Sequence, residues 1–293
     1  MNDSTEVANS TPGVVTTPQA GGDDRFIEIW LHGRSLHTQR AYASDVARLL
    51  SKAGKPLASI TLADLQSFAD SVAELSPASR YRTLSAVKSL LAFAHRIGYL
   101  PFDVGGALRL PAVRGRLAER ILSEAGVHRM LSLESNERNR AILTLLYASG
   151  VRVSELCGLR WRDVQANGDS AQITVFGKGG KTRAIRLPVS VWELLTRLRG
   201  DADGVQPVFR SRKKGGALMP VAVLRIVRRA AQRAGIDVPV SPHWLRHAHA
   251  SHALDRGAPI HLVQATLGHA SITTTGRYLH AKPADSSSRF LGL

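Results

Sequence analysis

From Asp24 onward, apolar residues recur at helical spacing. Phe26, Ile27, Ile29, Trp30 and Leu31 predict a short apolar helix that ends near Gly33. Ser35 is placed to cap a second helix, in which Tyr42, Val46, Leu49 and Leu50 fall on one face before Gly54 and Pro56 stop it. Thr61 and Asp64 have the spacing of a capping box and open a third helix carrying Leu65, Phe68 and Val72. Ser76-Pro77 opens a fourth, which runs through Leu84, Val87, Leu91 and Ala94 to Gly98. These helices predict a small all-α domain over residues 23–102. Residues 1–22 are rich in Ser, Thr, Pro and Gly with little to bury, and predict a disordered arm. Pro101, Gly105, Gly106, Pro111 and Gly115, interspersed with Arg109, Arg114 and Arg116, place an interdomain linker at 103–117.

A second domain is expected over 118–280, followed by a tail at 281–293. Ser123 caps its first helix, and the run from Arg140 to Ser149 is the most apolar helix of the chain, suited to a domain core. Gly150 ends that run, and a short helix restarts within Val151-Arg152-Val153-Ser154-Glu155-Leu156. Gln172 to Phe176 and Arg183 to Leu187 alternate as strands do, around a hairpin turn Gly177-Lys178-Gly179-Gly180-Lys181-Thr182 that presents two lysines. Further helices are expected from Val221 and over 243–256, 260–267 and 272–279, broken at Gly257-Ala258-Pro259 and Gly268. The expected fold is mainly α in two domains, with a small antiparallel sheet in the second.

Charge sharpens this picture. The 293 residues carry 39 Lys and Arg against 23 Asp and Glu, a net charge of +16. Such a surplus favours a polyanionic partner, because each cation that neutralises a phosphate releases condensed counterions; the plainer alternative is a solvated basic surface. Between Lys178 and Arg233 there are fourteen Lys or Arg and three acids, which marks a nucleic-acid face. This segment includes a loop with Arg212, Lys213 and Lys214 and a helix with Arg225, Arg228, Arg229 and Arg233. In the first domain, Arg80, Arg82 and Lys88 lie off the apolar stripe of the fourth helix and either line a DNA groove or solvate a face. The single cysteine, Cys157, excludes an internal disulfide and fits a reducing cytoplasm. No apolar run is long enough to span a bilayer, and the N-terminus lacks the pattern of an export signal.

The densest candidate chemistry lies between Ser241 and His280. His243 and Arg246 are three apart and share a helix face; His269 follows in a Leu267-Gly268-His269 turn, and Tyr278 comes nine residues later. A phenol can cleave a phosphodiester without metal or water, by attacking phosphorus and later leaving as phenoxide. The charge that builds on the nonbridging oxygens suits arginines, here Arg152 and Arg246. The departing sugar alkoxide needs a proton, which a lysine at the hairpin tip can supply, while His243 and His269 can donate to phosphate oxygens or assist the phenol. Taken singly, each residue has a plainer reading: Arg152 as an ion pair with Glu155, His243 as a cap, Tyr278 as a packed ring. Their combination and order give them a common meaning.

That order resembles the tyrosine recombinase (phage integrase) family, especially its compact Xer-type members. The matching motifs are Gly150-Val151-Arg152-Val153-Ser154-Glu155-Leu156, Gly177-Lys178-Gly179-Gly180-Lys181, His243-Trp244-Leu245-Arg246-His247, Leu267-Gly268-His269 and Thr273-Thr274-Thr275-Gly276-Arg277-Tyr278-Leu279-His280. Ser35 to Leu49, with Thr38, Tyr42 and Asp45, is similar to the start of the family's core-binding domain. The resemblance implies a C-shaped two-domain clamp around a duplex core site. It also implies assembly as a tetramer, of one chain or with a second recombinase, and exchange through a Holliday junction without metal or nucleotide cofactor. It assigns Tyr278 as nucleophile, giving a 3′-phosphotyrosyl link. Arg152, Arg246, His243 and His269 are then the transition-state ligands, and Lys178, the first lysine of the turn, is the general acid. Lys181 would contact the DNA backbone, Glu155 and His247 would support the reacting groups from behind, and the tail would dock onto a neighbouring subunit. Ala248-His249 departs from the small hydroxyl and aromatic pair of many relatives.

Three rivals remain at this point. His243, His247, His249 and His252 read as a metal cluster, although the glutamate of a metallohydrolase helix is missing between the first two. A non-catalytic DNA-binding protein on the same scaffold is the second, and a type IB topoisomerase-like strand relaxer is the third.

Overall fold

The computed structural model describes residues 22–112, 120–177, 180–211 and 215–279. The chain forms two compact units, Met1–Arg114 and Gly115–Leu293.

The first unit contains helices α1 (Gly22–Leu31), α2 (Leu36–Ala53), α3 (Leu62–Ser71) and α4 (Pro77–Arg96). Local chemistry sets their ends. The Ser35 hydroxyl accepts from the Thr38 amide, Gly54 closes α2 in the left-handed region at φ 65°, and Thr61 and Asp64 form the expected capping box. The apolar stripes meet in a core of Phe26, Trp30, Val46, Leu49, Leu65, Phe68, Leu84, Val87 and Leu91. α1 begins at Gly22, inside the stretch expected to be disordered, because Asp23 pins it. The Asp23 carboxylate accepts from the Leu57 amide at 2.7 Å and from the Tyr99 hydroxyl at 2.7 Å. The rest of the expected arm, residues 1–21, lies outside the described residues. The start of the turn-rich stretch packs onto α4: a Cβ on Gly105 would sit 2.9 Å from Leu91 Cβ, and Leu108 joins the core.

The off-stripe cations of α4 have partners within this unit. Arg82 pairs with Asp45, Lys88 Nζ donates to the Gly106 and Leu108 carbonyls at 2.9 and 3.0 Å, and Arg80 donates to the Ala69 carbonyl at 3.3 Å. Asp45 is 1% exposed and also accepts from the Thr83 hydroxyl at 3.0 Å. Asp45→Ala removes the acceptor for both groups, so it is expected to destabilise this unit by about 1–3 kcal/mol. Urea unfolding followed by tryptophan fluorescence reads the change, and an unchanged midpoint would show that Asp45 holds nothing together.

The second unit begins with α5 (Glu124–Ser132), α6 (Glu137–Ser149) and α7 (Val153–Gly158). A sheet of β1 (Val164–Asn167), β2 (Ser170–Phe176) and β3 (Thr182–Leu187) follows, then α8 (Val189–Arg199) and α9 (Pro220–Arg233). It ends with α10 (Pro242–Asp255), α11 (Ile260–Leu267) and α12 (Ile272–Gly276). The sheet is antiparallel in the order β1-β2-β3, with Ile173 between Val164 and Ile185. α6 is the central element, with Ala141, Ile142, Leu143, Leu145 and Leu146 all buried between neighbours that include α8 and α10. This accounts for its nearly unbroken apolar run. Cys157 is buried, as a small hydrophobe would be. α12 is shorter than expected, so Tyr278 sits in the turn after it, packed with Ala250, Val263 and Leu267 in a small cluster apart from the main core. No helix among the described residues is long and apolar enough to cross a membrane.

Candidate active site

Gly150 starts the site. At φ 59° it ends α6, its amide donating to the Leu146 carbonyl at 3.1 Å, and it turns the chain into α7. Arg152 then caps α7. Its amide donates to Glu155 Oε2 at 2.8 Å and its guanidinium to Oε1 at 2.9 Å, so the i, i+3 pair read from the sequence is formed. Arg183, on β3, also donates to both Glu155 oxygens, at 2.9 and 2.8 Å, and through Nε to the Thr266 carbonyl at 2.7 Å. Burial pushes the Glu155 carboxyl up, but the hydrogen bonds from Arg183 and the Arg152 amide outweigh it and bring the pKa down to about 2. Glu155 is therefore a fixed anion that holds Arg152 toward the site and ties α7 to β3.

Arg183 is absent from the sequence-derived set. A signal for it exists: with Ile185 and Leu187 it lies on the inward-facing positions of β3, where a cation requires a buried partner. It also explains Gly268, which ends α11 at φ 64° and where a Cβ would lie 3.1 Å from the Arg183 guanidinium.

Arg246, on α10, is 1% exposed. It donates to the Gly150 carbonyl at 2.6 Å and the Leu267 carbonyl at 2.7 Å, fastening the turn before Arg152 to the turn before His269. Desolvation and the nearby Arg152 charge lower its pKa to about 10, which leaves it cationic at neutral pH. His269 shares a hydrogen bond of 2.9 Å with the Thr275 hydroxyl, and its ring stacks parallel to that of Tyr278 with centroids 6.3 Å apart. His243 is exposed at the start of α10, edge-on to His247 at 4.3 Å between centroids.

His247 stands directly against Tyr278. It is buried, and its Nδ1 is 2.6 Å from the Tyr278 phenol oxygen. The sequence places it next to Arg246, one helical turn after His243, and the contact to the phenol arises only when the turn after α12 folds back over α10. Desolvation, followed by the charges of His243, Arg120 and Arg246, pushes the His247 pKa down to about 3. Desolvation and Arg246 likewise bring His269 down to about 4. Burial raises the Tyr278 phenol above its ordinary value of 10.0 against the opposing pull of Arg246. The cluster thus holds guanidinium cations, neutral imidazoles and a protonated phenol, a composition suited to one anionic group.

Lys178 falls outside the described residues, as do Arg212, Lys213 and Lys214. Lys181 is exposed on the hairpin, whose end is closed by the Gly177 amide donating to the Lys181 carbonyl at 2.7 Å. Arg225, Arg228 and Arg229 are exposed together on α9. The structure gives the metal-cluster reading no support. His249 Nδ1 meets the Tyr147 carbonyl at 2.8 Å, His252 Nδ1 meets the Tyr147 hydroxyl at 2.9 Å, and no metal-holding group of His, Cys, Asp or Glu occurs among the described residues. The unusual His249 packs against Gly150, where a Cβ would lie 2.8 Å from its ring.

Comparison with known proteins gives this geometry a family. The model of the phage integrase family matches residues 120–285, and that of the phage integrase N-terminal SAM-like domain matches residues 24–98. Tyrosine recombinase XerC of Xanthomonas campestris pv. campestris (strain B100) is 34% identical over 293 residues, covering 94% of this chain and 90% of the relative. Tyrosine recombinase XerD of Mycobacterium tuberculosis (strain CDC 1551 / Oshkosh) is 37% identical over 222 residues, 70% of each chain. Among solved structures, a lambda integrase (75-356) dimer bound to a COC′ core site matches with a TM-score of 0.71 at 21% identity, over 90% of this chain and 95% of that one. The chain belongs to the phage integrase family of tyrosine recombinases, and it is an enzyme of site-specific DNA strand cleavage and rejoining. Neither the non-catalytic binder nor the strand relaxer is favoured by these relatives.

Proposed function

We propose that Tyr278 attacks the scissile phosphorus to form a 3′-phosphotyrosyl link and release a 5′-hydroxyl. Arg152, Arg246, His243 and His269 bind the transition state and Lys178 protonates the leaving oxygen. The observation that carries this reading is that one buried guanidinium, Arg246, ties the turn before Arg152 to the turn before His269, whose ring stacks on that of Tyr278. Bidentate arginines stabilise the charge of a pentavalent phosphorane in a site that excludes water. Attack and reversal need no external energy, because the phosphodiester is conserved as a phosphotyrosyl ester.

The DNA partner is a duplex core site, gripped through the exposed cations of α9 and the hairpin, with Arg80, Arg82 and Lys88 near the backbone in the first unit. Two sites are brought together by four subunits, as one chain or with a second recombinase, and strands are exchanged through a Holliday junction. The protein works on DNA in the cytoplasm and uses no metal or nucleotide. The test is a supercoiled plasmid carrying two copies of the sequence recovered from DNA bound to the protein in cells, incubated with chelator and without ATP. Deletion or inversion products and junction intermediates are expected; relaxation without exchange would establish a topoisomerase instead.

A separate experiment isolates the acid. Lys178→Ala is expected to slow cleavage by about 10²–10⁴-fold. A substrate with sulfur at the 5′-bridging position is expected to restore most of that loss, because a thiolate leaves without a proton. A loss of the same size on both substrates would move the acid to another residue.

A further inference from the structure

Transition-state binding leaves one proton unassigned, that of the attacking phenol. We infer that His247 is the general base that takes it, an assignment that rests on the reading of Tyr278 as nucleophile. Among the described residues, His247 is the one imidazole in hydrogen-bond contact with the phenol, with Nδ1 2.6 Å from the oxygen. His269 directs its Nδ1 to Thr275, and His243 is exposed, with its ring edge-on to that of His247. The two histidines of α10 therefore divide the work. His243 is open to an incoming phosphate, and His247 lies beneath it against the nucleophile.

The proposal requires one direction of this hydrogen bond. With the phenol pushed up and the imidazole pushed down, both are neutral near pH 7; the contact fits either tautomer, and proton transfer to Nδ1 requires the one in which the phenol donates and Nδ1 accepts. The second ring nitrogen then carries the imidazole proton. In the attack the Tyr278 O–H bond breaks, the phenolic oxygen bonds to phosphorus, and the proton moves to His247 Nδ1. The 5′-oxygen leaves phosphorus and takes its proton from the separate acid. Rejoining runs the same steps backward and returns the proton to the phenoxide. The groups facing His247 are Tyr278, His243, Arg246, Arg120 and His269; burial first, and then the neighbouring charges, hold its basicity down in the free protein. A bound phosphodiester adds a negative charge to this cluster, offsets those cations and raises the proton affinity of the imidazole when a base is needed.

The test is the single-turnover rate of covalent adduct formation on a nicked duplex built from the bound cellular sequence. It compares the native chain, His247→Gln, and each of these with 2,3,5-trifluorotyrosine at position 278. Glutamine accepts the phenol hydrogen bond but takes no proton. With ordinary tyrosine, His247→Gln is expected to lose about 10²–10⁴-fold in rate with DNA binding intact. With the acidic fluorinated phenol, which ionises without help, most of the loss is expected to disappear. An undiminished rate in His247→Gln, or the same loss with both phenols, overturns the proposal. If the native chain forms no adduct, the reading of Tyr278 as nucleophile falls, and the proposal falls with it. Nitrogen-15 spectra of the imidazole in the unsubstituted full-length chain give a check independent of folding in the variant. They are expected to show Nδ1 bare and the proton on Nε2; a proton on Nδ1 would overturn the assignment.

Discussion

Arg246→Lys is expected to lower strand cleavage by about 10²–10³-fold, the loss typical of removing one preorganised donor from a developing oxyanion. The guanidinium is 1% exposed and spends two of its N–H groups on the Gly150 and Leu267 carbonyls. Its remaining donors are thereby held in one orientation before DNA arrives. A lysine ammonium is a single point that cannot reach both carbonyls and a phosphate together. One of these carbonyls would also lose its partner in a site closed to water, at a cost of about 1–3 kcal/mol in folding stability. The two effects separate experimentally. Adduct formation at saturating protein reads the chemistry, and thermal unfolding reads the fold. A loss in stability without a loss in rate would make Arg246 a structural tie and remove it from transition-state binding.

Most of the helical framework was legible because its signals are local. Ser35, Thr61, Ser76, Ser123 and Gly150 mark helix ends through backbone hydrogen bonds that need nothing beyond adjacent residues. The elements that escaped are β1 and α8. Only Val164 of β1 is buried, so the strand has no alternation to read, and it exists because β2 supplies its hydrogen-bond partner. The apolar positions of α8, Val191 and Leu195, sit in a stretch whose cations drew attention to charge instead.

The site divides in the same way. The Arg152–Glu155 pair follows from i, i+3 spacing within one helical turn. The role of Arg183 and the contact of His247 with Tyr278 depend on pairings across 28 and 31 residues of sequence. For Arg183 the inward register of β3 carried a usable hint. For His247 there was none, because adjacency to Arg246 says nothing about which ring the turn after α12 brings down on it. The N-terminal boundary moved for a related reason: Asp23 is anchored by Leu57 and Tyr99, both distant in sequence.

The proposed chemistry depends most on Tyr278. Phenylalanine keeps the ring packed against Ala250, Val263 and Leu267, so Tyr278→Phe is expected to fold and to bind duplex DNA like the native chain. It leaves His247 Nδ1 without its partner, at a cost of about 1–3 kcal/mol, which is small beside the loss of the oxygen proposed to attack phosphorus. The decisive measurement is denaturing electrophoresis of native and Tyr278→Phe protein after incubation with a nicked duplex that traps the cleaved state. A covalent protein–DNA band for the native chain, absent for Tyr278→Phe under conditions where both shift the duplex, is the predicted result. A band of equal strength from Tyr278→Phe, or none from the native chain on the sequence it binds in cells, would contradict it.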